Sequence, residues 1–226
     1  MSFLLEHCLF DRLSSDIIKQ CKPFVCKKDH EIDSFFHDDN KDNYSDYNSE
    51  MMGYSHCFYT NSECPEMVCA FSLSNTALRT APMPKAKRNR FNRDIPNTKR
   101  RSQYPAILIG QLCVFDDFAH KDIGKELMDL IKTIAINPEN SCAARYLVVD
   151  AVNKPKVISY YRDNGFEFLF SSDEEEMECL HQLSNDNWIQ KLKRCFSKEE
   201  KPENKCSTRL MYFDLILLNP KSSLAV

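Results

Sequence analysis

Glycine is nearly missing from this chain. Its 226 residues include four, Gly53, Gly110, Gly124 and Gly165, too few for the three-glycine fingerprint of a dinucleotide fold or the glycine-rich loop of a P-loop enzyme. No stretch of about eighteen apolar residues occurs, which excludes a membrane-spanning helix. The opening Met1-Ser2-Phe3-Leu4-Leu5 meets Glu6 before the apolar core of a signal peptide can build. A cytoplasmic location is therefore expected, with the eleven cysteines reduced. No cysteine pair has the two-residue spacing of a zinc knuckle. Cys21 and Cys26 are five apart, as are Cys64 and Cys69, and the six histidines are scattered, so no metal site is expected.

What is present describes a globular protein. Hydrophobic residues make up 42% and charged residues 28%, with Phe 15, a balance foreign to disordered, collagenous or coiled-coil chains. The length suits a single domain spanning 1–226 with elaborations. The net charge of -3 conceals a polarity along the chain. Residues 29–50 carry eight acids against Lys41 alone, and residues 85–101 (KAKRNRFNRDIPNTKRR) carry eight bases against Asp94 alone. The basic stretch, within a loop expected at 80–103, reads as a solvated loop rich in proline or as a phosphate-binding arm. On the second reading Arg88, Arg90, Arg100 and Arg101 would contact nucleic acid.

Periodicity orders the rest. Residues 55–60 and 67–73 predict a hairpin turning at 61–65. Residues 106–114 (AILIGQLCV) predict a buried strand, with Gly110 marking a bulge or a close backbone approach. In the helix that Gly124 opens, Leu127, Met128, Ile131, Ile134 and Ala135 form one apolar face, leaving Lys125, Glu126, Asp129 and Lys132 outward. Residues 146–150 predict a second buried strand. A short helix at 153–163, with Val157, Tyr160 and Tyr161 inward, should stop at Asn164-Gly165. Residues 171–207, acidic and then lysine-rich, predict a helical insertion that buries little, and 209–218 (RLMYFDLILL) predict a closing strand. The expected class is α/β, a mixed and mostly antiparallel sheet flanked by helices, with the insertion before the last strand.

Between the strand at 106–114 and the helix at Gly124 lies a polar turn. The helix start offers unpaired N–H groups and the positive end of its dipole, flanked by Lys121 and Lys125, which together predict an anion site. These elements resemble, in order and spacing, those of the GNAT N-acetyltransferases. Leu112-Cys113-Val114, then Ala119-His120-Lys121-Asp122-Ile123-Gly124, then Tyr161-Arg162-Asp163-Asn164-Gly165-Phe166 match that family's thioester-holding strand, its Gln/Arg-x-x-Gly-x-Gly/Ala pyrophosphate turn and its Tyr-x-x-x-Gly-Phe ending. The resemblance spans about residues 24–217. Pro23-Phe24-Val25-Cys26, Glu31-Ile32-Asp33-Ser34-Phe35-Phe36, Ile109-Gly110-Gln111-Leu112 and Val148-Val149-Asp150-Ala151 are similar to the GNAT branch that includes toxins of bacterial toxin-antitoxin pairs. Those toxins acetylate the amino acid carried on a charged tRNA.

The resemblance implies the GNAT fold and acetyl-CoA as cofactor, held by Leu112, Cys113, Val114, Ala119, His120, Lys121, Asp122, Ile123, Gly124, Lys125 and Asn153. It implies Tyr161 as the general acid, and aminoacyl-tRNA and an antitoxin as partners; a homodimer is left open. An aminoacyl α-amine has a pKa near or below about 8, so no strong base is demanded. What remains is to polarise the thioester carbonyl and protonate the leaving thiolate. Three positions depart from the family: residue 119 is Ala instead of Gln or Arg, residue 122 is Asp instead of Gly, and Asn153 sits eight residues before Tyr161 where the family's asparagine usually sits seven before. A carboxylate about 4 Å from a phosphate charge costs roughly 4 kcal/mol at an effective dielectric of 20. Three readings stand at this point: transfer to aminoacyl-tRNA, transfer to a small-molecule, peptide or protein amine, and a binding module that has lost turnover. Tyr161 also reads as a packing aromatic, and Cys113 as a small buried apolar residue.

Overall fold

The structure, a computed structural model, describes residues 2–27, 29–37, 42–81, 83–92, 102–119, 122–184 and 206–218. Its seven strands form one sheet in the order β1-β2-β3-β4-β5-β7-β6. They are β1 (Cys8–Arg12), β2 (Tyr54–Thr60), β3 (Met67–Arg79), β4 (Gln103–Val114), β5 (Tyr146–Val152), β6 (Glu167–Phe168) and β7 (Thr208–Asp214). The β1/β2, β2/β3 and β6/β7 pairs are antiparallel. The chain divides into two compact units, one of Met1–Thr76, Pro105–Leu147 and Asp214–Val226, the other of Ala77–Tyr104 and Val148–Phe213.

The first unit opens with four short helices: α1 (Phe3–His7), α2 (Ser15–Gln20), α3 (His30–Phe35) and α4 (Tyr44–Ser49). Helices of five or six residues cannot hold themselves together in water, and each of these is capped. Ser2, Ser14, Asp29 and Asn43 accept hydrogen bonds from first-turn N–H groups, a contribution of about 1 kcal/mol each. Helices α2, α3 and α4 pack on a core that includes Leu13, Ile17, Phe36, Tyr44, Met67 and Phe115 with Cys21, Cys26, Cys57 and Cys113, while α1 lies against α6. The described cysteines are free thiols. Burial pushes the Cys57 thiol up to about 12 and raises Cys113 further, so both behave as small apolar side chains.

The hairpin forms as the periodicity predicts, with β3 extended to Arg79 and a register shift at Phe58/Tyr59. The helix expected at Gly124 is α6 (Ile123–Ala135), with Ile123, Leu127, Met128 and Ile131 at or below 1% exposure. Each such side chain contributes roughly 2 kcal/mol. Lys132 corrects the expected outward face. It is buried, four residues beyond Met128, with Nζ 3.8 Å from Asp129, and burial lowers its pKa. Its methylene stem covers apolar surface that a shorter charged residue would leave bare.

The second unit contains α5 (Lys85–Asn92), α7 (Pro155–Asp163) and α8 (Asp173–Ser184). The basic stretch was expected as a loop, and its first half is helix α5 instead. Phe91, 8% exposed, anchors it against Tyr104 and Tyr212, with ring centroids 6.3 and 5.4 Å away. The insertion was expected to bury little, yet Glu176 and Cys179 of α8 are buried. Arg209 of β7 explains why. Its Nε donates to Glu176 at 2.7 Å, its Nη2 to the Phe170 carbonyl at 3.0 Å and its Nη1 to Asp173, while Glu176 also accepts the Leu210 N–H at 2.7 Å. Removing one partner of such a buried pair costs about 3–5 kcal/mol, so this part of the insertion belongs to the fold. Residues 185–205 of the insertion lie outside the described residues.

The closing strand is shorter than expected. It ends at Asp214, and Leu215–Leu218 form a 3-10 turn. Asp214 accepts the Ile216 N–H at 3.1 Å and pairs with Arg145 at 2.8 Å, which bends the chain out of strand geometry.

Candidate functional site

In the first unit, β4 leads to α6 through the turn singled out by sequence. At Gly110 of β4 the backbone passes close to β3, and a Cβ there would lie 2.7 Å from Ser72 Oγ, so that hydroxyl would have to move. The same hydroxyl accepts the Gln111 N–H at 2.8 Å. Beyond it Cys113 is buried, and Leu112 and Val114 are half-buried. Phe115 and Asp116 donate their N–H groups to the carbonyls of Val68 and Val25, fixing the strand end before a 3-10 turn, Asp116–Phe118. Ala119 closes that turn through its N–H to Asp116. His120 and Lys121 lie outside the described residues.

Asp122 begins α6 with φ 55 and ψ 9, a left-handed conformation, and its side chain caps no N–H of the helix. Its carbonyl accepts from Lys125 at 3.1 Å and Glu126 at 3.3 Å. Asp122 and Lys125 are exposed, and Ile123 is buried. Glu126, the acid of the first turn, faces α1, accepting from the N–H groups of Phe3 at 3.1 Å and Leu4 at 2.8 Å and from Ser2. The backbone here thus suits a pyrophosphate: a left-handed residue, a long helix start and no side-chain cap. Asp122 puts an exposed carboxylate at the start of the helix, which opposes an anion there.

In the second unit, α7 carries Tyr161, 7% exposed, between Tyr160 at 5.1 Å and Phe166 at 5.4 Å. Its hydroxyl has no hydrogen-bond partner among the described residues, and burial raises its pKa, so it stays protonated at neutral pH. Asn153 precedes α7. Its Nδ2 donates to Asp173 at 3.1 Å and to the Cys206 carbonyl at 2.9 Å, which leaves only Oδ1 for any ligand. In α5, Arg88 is half-buried and Arg90, at the exposed end, reaches Glu167 at 3.5 Å. Lys87 reaches Glu175 at 3.6 Å. Arg100 and Arg101 lie outside the described residues.

The first unit also holds a pocket of about 490 Å³ that sequence reasoning missed. Residues from α3, the segment before α4, α4 and the strands β2, β3 and β4 line it, among them Glu31, Phe35, Asp42, Tyr47, Ser55 and Gln111. No local pattern announces a site assembled from four separate stretches. Gly110, which also lines it, was the single available signal.

No family model matches the chain, and no curated protein matches it by sequence. Solved structures do match in three dimensions. A complex of AtaT with acetyl-methionyl-tRNAfMet superposes with a TM-score of 0.58 at 12% identity, covering 94% of this chain and 97% of that one. AtaTR bound with acetyl-CoA gives 0.55 at 14%, covering 95% and 99%. A mutant of KacT gives 0.56 at 11%, covering 95% and 98%. The chain has the GNAT fold. The β4–α6 connection and α7 are the elements that carry the motifs resembling that family in the sequence.

Proposed function

We propose that this protein is an acetyl-CoA-dependent N-acetyltransferase of the toxin type, acting on the α-amine of an aminoacyl-tRNA. The observation that carries the reading is the β4–α6 turn, where the backbone adopts at Asp122 the left-handed conformation that glycine supplies in the family motif. The likeness over nearly the whole chain to structures solved with acetyl-CoA and with an acetylated aminoacyl-tRNA supports the same choice of cofactor and acceptor. Two further structures with this likeness hold AtaT bound to the C-terminus of the antitoxin AtaR, and such a partner is part of this proposal.

Acetyl-CoA supplies an acetyl thioester. The first turn of α6, with Ile123, Gly124 and Lys125, would hold its pyrophosphate, and the backbone of Leu112, Cys113 and Val114 would orient the thioester and polarise its carbonyl. In the transfer the amine nitrogen bonds to the carbonyl carbon, the carbon–sulfur bond breaks, the nitrogen loses one proton to solvent and the thiolate gains one. Tyr161, protonated and unpaired, is the proposed donor of that second proton.

The experiment mixes the protein with radiolabelled acetyl-CoA and a pool of charged tRNA and follows label into acetylated aminoacyl-tRNA. Label on the tRNA supports the reading; binding of acetyl-CoA without transfer to any amine replaces it with a binding module. A second reading, transfer to a small-molecule or protein amine, draws support from the internal pairing of Lys87 and Arg90, which leaves fewer cations for phosphate. Label on such amines and none on tRNA would select it.

A further inference from the structure

The pocket of the first unit carries more chemistry than acetyl transfer alone requires. Among the described residues its lining carries two carboxylates, Glu31 and Asp42, and neither lysine nor arginine, so these carboxylates set its field. Ser55 lines it as well. Ser55 is 1% exposed, and its hydroxyl has no hydrogen-bond partner among the described residues. The Ser55 backbone, in contrast, is satisfied, its N–H donating to Asn48 Oδ1 at 3.1 Å and its carbonyl accepting from Leu13 at 2.9 Å. A buried hydroxyl left unpaired is costly, and this one, closed off at the pocket wall, gains a partner when a ligand opens the wall beside it. Phe35, Tyr47 and Leu108 offer apolar surface for an aliphatic stem. Gly110 and Gln111 bring the pocket along β4 to the residue before Leu112.

We propose that this pocket receives the side chain of the acceptor and selects a cationic one, an aminoacyl group of the lysine type, with Glu31 and Asp42 facing the ammonium and Ser55 bonding to it. The inference rests on the acetyltransferase reading for the word acceptor, and on the pocket alone for the preference. A flexible methylene stem lies against Phe35 and Tyr47, and an ammonium over an aromatic face gains a further attraction. An acidic side chain entering the same space meets two like charges.

The test uses the full chain and two probes, lysinamide and norleucinamide, which share their backbone and most of their stem and differ by the side-chain ammonium. Calorimetric titration should show lysinamide binding about tenfold more tightly. Glu31→Gln combined with Asp42→Asn should bring the two to parity, thermal melts confirming that this exposed pair leaves the fold intact. Ser55→Ala should weaken lysinamide while raising Tm by a few degrees, because it removes the unpaired hydroxyl. Equal binding of both amides, no detectable binding of either, or a preference that survives in the double variant overturns the proposal. Acetylation of lysyl-tRNA and methionyl-tRNA is measured alongside. Transfer to both with no amide preference removes the pocket's role and leaves the acetyltransferase; a lysinamide preference without transfer to any acceptor keeps the pocket and removes the acetyltransferase.

Discussion

Two turns hold left-handed residues, one before α6 and one after α7, and they are built differently. Gly165 follows α7 at φ 82, where a Cβ would lie 3.1 Å from the Phe213 ring. Asp122 precedes α6 at φ 55 and is exposed. At Gly165 backbone conformation and packing both oppose a side chain. At Asp122 only the conformation does, and a non-glycine residue tolerates that for about 1 kcal/mol. The exposed turn therefore admits a side chain that the packed turn resists. What Asp122 adds to its turn is charge more than a change of backbone path.

Substitutions can break this contrast, and Gly165→Ala should do so with the largest effect. A positive φ and a tight ring contact together predict a loss of about 3 kcal/mol, read as a lower urea midpoint. A loss below about 1 kcal/mol would show that Phe213 moves aside and that the two turns are equivalent. Tyr161, four residues upstream, tests whether the packed turn also serves chemistry. Tyr161→Phe should lower turnover by about 10²-fold while acetyl-CoA affinity and Tm hold, and wild-type turnover would return Tyr161 to packing.

Asp122→Gly should act in the opposite sense to Gly165→Ala. Relief of the left-handed conformation, less the added entropy of an unfolded glycine, predicts a gain of about 0.5 kcal/mol. Acetyl-CoA should bind about threefold more tightly at low salt, with the gain shrinking as salt rises. No change in affinity would mean that the carboxylate already points away from the cofactor. The smallest effect belongs to the basic helix. Replacing Arg88 and Arg90 with glutamine should reduce the log–log salt slope of tRNA binding by roughly one unit, because Arg90 is partly engaged by Glu167. An unchanged slope would leave α5 a solvated face.

Legibility in the sequence followed how local each signal was. The hairpin, α6 and the stop at Gly165 declare themselves within a dozen residues each, through alternation, a 3.6-residue period and a glycine. Strand β1 escaped notice because four of its five residues are exposed, so it has no alternation to read. Helix α5 escaped because its residues are almost all polar and one aromatic, Phe91, ties it down. Lys132 was assigned to the outer face because charge was read as exposure, when its stem is what the helix buries.

The sequence by itself determined the β2–β3 hairpin, the strands β4 and β5 and the helices α6 and α7, since each rests on short-range patterns of side-chain size, polarity and backbone freedom. Tertiary structure alone decided that Arg209 would bind Glu176 and Asp173 into the fold, and that Glu31, Asp42 and Ser55 would line one pocket. Those residues come from separate stretches, and their partners exist only once the sheet has assembled. A charge or a hydroxyl carries no mark in sequence of whether it will meet water, an opposite charge or a cavity, because that depends on what the rest of the chain places beside it.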